Sequence, residues 1–126
     1  MKTVSEKTAK VIGILDSLCI SLESCIDNLY DQSVRIESDT LSREAFDIQE
    51  LYLQRIENYE QVLNTMKIEI SELLFYGDKL SPQDLYSGAS RIAQLYNFVF
   101  DDFKSFSSDI KNNPNFPNTF NKLDWH

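Results

Sequence analysis

Residues 41–76, LSREAFDIQELYLQRIENYEQVLNTMKIEISELLFY, carry the pattern that decides the fold. Apolar side chains recur there mainly at alternating spacings of four and three residues, at Leu41, Ala45, Ile48, Tyr52, Tyr59, Val62, Met66, Leu73 and Tyr76. A mean spacing of about 3.5 residues keeps an apolar stripe against a neighbouring helix along a left-handed supercoil. The stretch therefore predicts one long helix with coiled-coil-like heptad packing.

Two further segments repeat this pattern. It runs through Val11, Leu15, Leu18, Leu22, Cys25 and Leu29 in the first, and through Leu85, Ala89, Ile92, Tyr96, Val99, Phe103, Phe106 and Ile110 in the last. We therefore predict an all-α domain over residues 1–111, with helices over about 5–31, 41–76 and 82–110. A chain of 126 residues is long enough for one such domain with a single core.

The middle helix carries a second apolar stripe beside the first. Its members are Phe46, Leu53, Ile56, Leu63, Ile70 and Leu74. Two adjacent stripes mean that this helix contacts two neighbours, which is typical of the middle helix of a long antiparallel three-helix bundle. We expect Leu53, Val62, Leu63 and Phe103 to lie in the core.

Boundary signals separate the three segments. The polar stretch 31–40 predicts a connector after the first helix. Gly77 predicts a left-handed residue at the end of the second helix, because glycine tolerates positive φ. Ser81, Pro82 and Asp84 then supply an N-cap, a first-turn proline and an acidic residue for the third helix.

The net charge of −8, from twenty acidic and twelve basic residues, limits the classes of partner. An acidic surface repels phosphate backbones and anionic lipids, so we expect neither direct nucleic-acid binding nor membrane association. No Lys or Arg occurs between residues 11 and 34. The acidic residues there form either a solvated face or a docking surface for a basic partner: Asp16, Glu23, Asp27 and Asp31.

Cys19 and Cys25 are predicted to be buried free thiols. Six residues separate them on the first helix, which places them about 9 Å apart along the axis and about 120° apart around it, so they cannot bridge each other there. Because neither a disulfide framework nor an export signal is visible, we expect a reducing intracellular compartment, the cytoplasm or the nucleus.

Residues for catalysis and metal binding are scarce. The one histidine is His126, and the sequence contains no Glu-x-x-His pair, no Gly-rich phosphate loop and no nucleophile elbow. We therefore expect no catalytic residue, no cofactor, no bound metal and no small-molecule substrate. The protein is predicted not to be an enzyme.

Arg55 and Glu69 occupy positions of the central stripe that are otherwise apolar. A charge buried without a partner is costly, so each is expected to reach the bundle edge or to pair across helices. Contact with a partner chain is the alternative, which makes Arg55 a candidate partner-binding residue.

The segment 112–126 is rich in asparagine, contains Pro114 and Pro117, and predicts a non-helical tail. Its large aromatic side chains are more than a solvated linker would carry, so we expect the tail to pack on the bundle or on a partner. Aromatic residues dominate the energetics of many protein interfaces. The predicted partner-binding aromatics are Phe98, Phe100, Phe116, Phe120 and Trp125.

Three pieces of residues 60–92 carry a resemblance to a known family. They are Glu60-Gln61-Val62-Leu63, Leu80-Ser81-Pro82-Gln83-Asp84-Leu85 and Ala89-Ser90-Arg91-Ile92. Together they resemble the helical hairpin of the fourth subunit of the Mediator transcription co-activator complex, over about a quarter of the chain. The resemblance implies a nuclear scaffold subunit without catalytic activity.

The sequence thus favours a non-catalytic helical scaffold or adaptor subunit of a larger assembly, acting through contacts with other protein subunits. Two alternatives stay open. One is an acidic helical chaperone or immunity protein that masks a basic client, favoured by the first helix with its basic-free stretch. The other is a self-associating coiled coil whose second stripe serves a homodimer.

Trp125 is the only tryptophan of the chain, so its fluorescence reports on the tail alone. If the tail packs on the bundle, emission from the isolated chain is blue-shifted and resists iodide quenching, because the indole leaves water. If the tail packs on a partner, both changes appear only in the complex. If the isolated chain and the complex both emit like free tryptophan, the tail packs neither on the bundle nor on a partner, and the prediction is wrong.

Overall fold

The computed structural model describes residues 5–39 and 43–112, and this part of the chain contains three long helices and no strand. Helix α1 spans Glu6–Asp39, α2 spans Arg43–Tyr76 and α3 spans Pro82–Lys111, with a short 3-10 helix at Gly77–Lys79 between α2 and α3. Each long helix packs on the other two. The predicted all-α three-helix bundle is confirmed.

The three helices run up, down and up. Near each connection, the contacts between consecutive helices join residues that are close in sequence. At the opposite end of the bundle they join residues that are far apart in sequence, so α2 is antiparallel to both neighbours. The pairs that define these directions are Ser33–Gln49 and Glu23–Lys67 for α1 and α2, and Arg91–Glu69 and Asp102–Arg55 for α2 and α3. In residues 5–39 and 43–112, no helix is both long and apolar enough to cross a membrane.

One apolar core runs the length of the bundle. Its least exposed large side chains are Leu15, Leu22, Leu29, Tyr52, Met66 and Ile92. All of them belong to the heptad stripes predicted for the three helices. Burying one such aliphatic side chain contributes about 1.5–3 kcal/mol, so these stripes supply the main driving force for packing.

The second stripe of α2 divides into two columns. Ile56, Leu63 and Ile70 are buried, as predicted. Phe46, Leu53 and Leu74 are 66%, 48% and 44% exposed, so the prediction that Leu53 lies in the core is wrong. The exposed column lies about 50° further around α2 than the buried one, on the side away from the centre of the bundle.

Val62 and Phe103, the other two predicted core residues beside Leu63, are partly buried and pack against the core. They lie at the edges of the helix interfaces. Their apolar surface contributes to packing, but each also keeps some contact with water.

Helix α1 continues to Asp39, eight residues beyond its predicted end. Two of the polar residues predicted to form a connector, Gln32 and Ser33, have partners on α2 instead. The Tyr52 hydroxyl donates to Oε1 of Gln32 at 2.7 Å, and Nε2 of Gln49 donates to the carbonyl oxygen of Ser33 at 3.2 Å. Gln32 and Ser33 are therefore buried although polar, because hydrogen bonds replace their contacts with water.

The start of α3 follows its sequence signals. The Ser81 hydroxyl accepts a hydrogen bond from the backbone N–H of Asp84 at 3.1 Å, and Pro82 lies in the first turn. The prediction of a left-handed Gly77 is wrong, since no glycine within the described residues has positive φ. Gly77 instead provides space, because a Cβ at this position would lie 2.6 Å from Cγ2 of Thr8.

Asp78 connects the 3-10 helix to the start of α1. Its carboxylate accepts hydrogen bonds from the backbone N–H of Ser5 at 3.1 Å and from the Thr8 hydroxyl at 3.0 Å. A negative charge at the N-terminal end of a helix is stabilising. The contact therefore joins the start of α1 to the segment that follows α2.

A charged substitution should destabilise the bundle more in the buried column of α2 than in the exposed column. Leu63→Asp should lower the free energy of unfolding by at least about 3 kcal/mol, because it buries a carboxylate without a partner. Leu53→Asp should lower it by less than about 1 kcal/mol, since that side chain is half exposed. Urea melts followed by circular dichroism measure both, and equal losses would contradict the assignment of the columns.

Candidate partner-binding surfaces

The exposed column of α2 repeats every seven residues, at Phe46, Leu53, Glu60, Lys67 and Leu74. Its two polar members contact α1. The Tyr30 hydroxyl donates to Oε1 of Glu60 at 3.0 Å, and Nζ of Lys67 lies 3.0 Å from Oε1 of Glu23. We define the α1–α2 face as this column together with Asp16, Ile20, Glu23, Asp27, Tyr30 and Val34 of α1.

The α1–α2 face is apolar toward both of its ends. Near the 3-10 helix, Ile20 and Leu74 border a groove of about 550 Å³ that Ile12 and Ile70 also line. Toward the other end the exposed apolar residues are Val34, Phe46 and Leu53. The two polar contacts between the helices lie between these apolar ends.

The α1–α2 face is also acidic. Lys67 is the one basic residue of the face, and Glu23 already pairs with it. Asp16 and Asp27 form no ion pair with any residue that the structure describes. The hydrogen bond to Glu60 raises the pKa of Tyr30, because the nearby carboxylate disfavours ionisation of the phenol.

Arg55, a predicted partner-binding residue, has its partners within the bundle. Its Nε lies 3.5 Å from Oδ2 of Asp102, and the guanidinium carbon lies 4.7 Å from the centre of the Phe106 ring. The same Asp102 oxygen accepts a hydrogen bond from the Tyr59 hydroxyl at 2.5 Å. Burial of the phenol is the main cause that raises the pKa of Tyr59, and this hydrogen bond adds to the effect.

The partly buried carboxylate of Glu69 is also paired within the bundle. Its Oε1 lies 2.7 Å from a guanidinium nitrogen of Arg91 on α3. Both polar residues of the central α2 stripe thus pair across to α3, as expected for one of the two ways of avoiding an unpaired buried charge.

The structure separates the two α3 aromatics that were predicted to act together. Phe98 is 76% exposed and lies on the side of α3 that also carries Asp102, four residues on. Phe100 is partly buried and stacks between Tyr96 and Phe103, with ring centres 5.6 and 6.5 Å away. The remaining predicted contacts lie outside the described residues: Phe116, Phe120 and Trp125.

Phe100 and Phe103 line a groove of about 620 Å³ between α1 and α3. Cys25 contributes from the α1 side, and Lys104 and Lys111 from the α3 side. The Lys104 ammonium lies 5.0 Å from the centre of the Phe100 ring, a distance typical of a cation–π contact. The groove therefore combines aromatic and basic side chains of α3 with polar side chains of α1, among them Ser24, Asn28 and Gln32.

Both cysteines are free and buried. Burial raises the pKa of each thiol, and for Cys19 the charge of Asp16 adds to this effect. A raised pKa keeps a thiol protonated and a poor nucleophile. No group of three or more metal-ligating side chains is found among the residues that the structure describes.

The polar members of the exposed α2 column are the residues that sequence reasoning missed. Glu60 and Lys67 interrupt the second stripe at a spacing of seven, between Leu53 and Leu74. Two charged residues at the same heptad position indicate that this position borders water, and they could have separated the exposed column from the buried one.

Comparison of the chain with protein-family models, with curated proteins and with solved structures finds no match in any of the three.

The Arg55–Asp102–Tyr59 cluster should stabilise the bundle by a modest amount. Asp102→Asn removes the ion pair but keeps an oxygen for Tyr59, so it should cost about 0.5–1 kcal/mol, because the pair is about one-third exposed. Tyr59→Phe should cost about 1 kcal/mol, because it leaves a partly buried carboxylate without this donor. Urea melts of both variants check this, and unchanged stability in both would show that the cluster contributes nothing.

Proposed function

We propose that the chain is a non-catalytic scaffold or adaptor subunit of a larger protein assembly, acting through contacts between helices. The observation that carries this proposal is the exposed column of α2. Phe46, Leu53 and Leu74 remain in water although the core of the bundle is complete without them. Aligned apolar side chains of this size favour an interaction site, because their transfer out of water stabilises a complex.

The composition of the α1–α2 face supports the same function. The face combines two apolar ends with polar and acidic positions between and beside them, and protein interfaces contain both apolar contacts and hydrogen bonds. A shallow groove between two antiparallel helices is also a common receptor for an amphipathic helix. Phe98 is a second proposed contact, since its large ring is mostly exposed.

Two other functions are each favoured by one observation. The acidic α1–α2 face favours a chaperone or immunity protein that masks a basic client. The apolar residues of the exposed α2 column favour a homodimer formed through that column. Both are separated from the adaptor function by the experiment below.

We further propose a reducing compartment, the cytoplasm or the nucleus, because both cysteines are free. The resemblance of residues 60–92 to the fourth Mediator subunit stays a prediction. Under it, the partners are other subunits of that complex and the compartment is the nucleus.

Purification of the tagged chain from its source cells tests the adaptor function. Wild type should co-purify with other proteins in fixed ratio, and the complex should survive about 1 M NaCl, where charges are screened beyond about 3 Å. Leu53→Asp should lower recovery of the partner at least about tenfold, because it places a carboxylate in an apolar contact. Ile68→Asp is the matched control, since it changes an exposed aliphatic residue of α2 outside the α1–α2 face.

Each alternative has its own result. Loss of the complex at high salt favours the masking of a basic client. A light-scattering mass of twice 14.6 kDa that Leu53→Asp halves favours a homodimer. Equal recovery with Leu53→Asp and Ile68→Asp would contradict any function of the α1–α2 face.

A further inference from the structure

We propose that the α1–α2 face binds one amphipathic helix from another protein, and that this helix carries Lys or Arg beside its apolar stripe. The inference rests on the proposed function and names the chemistry of the partner. The added helix would make the three-helix bundle a four-helix bundle in the complex.

The dimensions of the face suit a single helix. Leu53 and Leu74 are 21 residues apart on α2, which is about 31 Å along the axis at 1.5 Å per residue. A helix of about 20 residues has the same length. Its apolar residues would contact the two ends of the face, beside Val34 and Leu53 at one end and beside Ile20 and Leu74 at the other.

The polar contacts in the middle of the face determine which type of residue is favoured at the centre of the partner helix. There the Tyr30–Glu60 hydrogen bond and the Glu23–Lys67 ion pair bridge α1 and α2. A large apolar side chain above these bridges would bury charged groups at a cost. A polar or small residue at the centre of the partner helix is therefore favoured, which also fixes its register.

Charge complementarity selects a basic partner. Glu50 and Glu57 are exposed and lie three and four residues from Leu53, so they border the face on α2. The acidic groups of the face and its border are Asp16, Glu23, Asp27, Glu50, Glu57 and Glu60, against one ammonium group, that of Lys67. This excess would attract Lys and Arg beside the apolar stripe of a partner and select it by charge, while the apolar contacts at the two ends of the face hold the complex together at high salt.

The same charges disfavour the other occupants. A second copy of the chain would place this acidic face against an identical acidic face, which is repulsive. Nucleic acids and anionic lipids carry phosphate groups and would be repelled as well.

Designed peptides provide the test. The probe is a labelled three-heptad peptide with leucine at positions a and d, one central asparagine at position a, and lysine at positions e and g. A matched peptide has glutamate in place of every lysine. Fluorescence anisotropy with the full chain should give a Kd below about 0.1 mM for the lysine peptide and at least about tenfold weaker binding for the glutamate peptide.

Two double variants of equal net charge separate local from overall attraction. Asp16→Lys with Asp27→Lys changes the face and should weaken binding of the lysine peptide at least about tenfold. Asp101→Lys with Asp109→Lys changes exposed positions of α3 and should weaken it less than about threefold, because salt screens distant charges. Leu53→Asp should also weaken it at least about tenfold.

Equal weakening by the two double variants would overturn the proposal, because net charge alone would then explain binding. Binding unaffected by Leu53→Asp, or no binding of the lysine peptide below about 0.1 mM, would overturn it too. If the peptide fails while Leu53→Asp still loses the partner from source cells, the adaptor function stands and only the proposal of a basic amphipathic helix as the partner is wrong.

Discussion

The packing of α2 against two neighbours at once is the constraint on which the rest of the structure depends. Tyr52, Tyr59 and Met66 lie along one buried stripe, and Ile56, Leu63 and Ile70 lie along the other. Burial of adjacent stripes on one helix requires α1 and α3 on adjoining sides. The positions of the ion pairs, the grooves and the exposed column all follow from this arrangement.

The apolar surface of α2 is wider than its two neighbours can cover. This width explains both the stability of the bundle and the exposed apolar residues that remain on α2. Two neighbouring helices cover an arc that includes Ile56 and Leu63 but not Phe46 or Leu53. The polar residues at the same edge, Glu60 and Lys67, use their length to reach α1. The bundle is therefore complete as a folded unit and still leaves large apolar side chains of α2 exposed.

Heptad spacing predicts the helices and most of the core, because apolar periodicity directly records which side of a helix is buried. It does not predict the last eight residues of α1, where Gln32 and Ser33 are buried through hydrogen bonds. The separation of Phe98 and Phe100 does follow from the sequence, because residues two apart on a helix point about 200° apart. The contact of Asp78 with the start of α1 does not. Such contacts depend on the rotation of each helix in the assembled bundle, which spacing alone leaves open.

Solvent access along α2 tests the central claim most directly. Single cysteines at positions 46, 53, 56, 63, 70 and 74, in a Cys19→Ala, Cys25→Ala background, can be labelled with a maleimide under native conditions. Positions 46, 53 and 74 should react rapidly, and positions 56, 63 and 70 should react slowly, because only the second set is buried. Similar rates at all six positions would contradict the division of α2 into a buried and an exposed column.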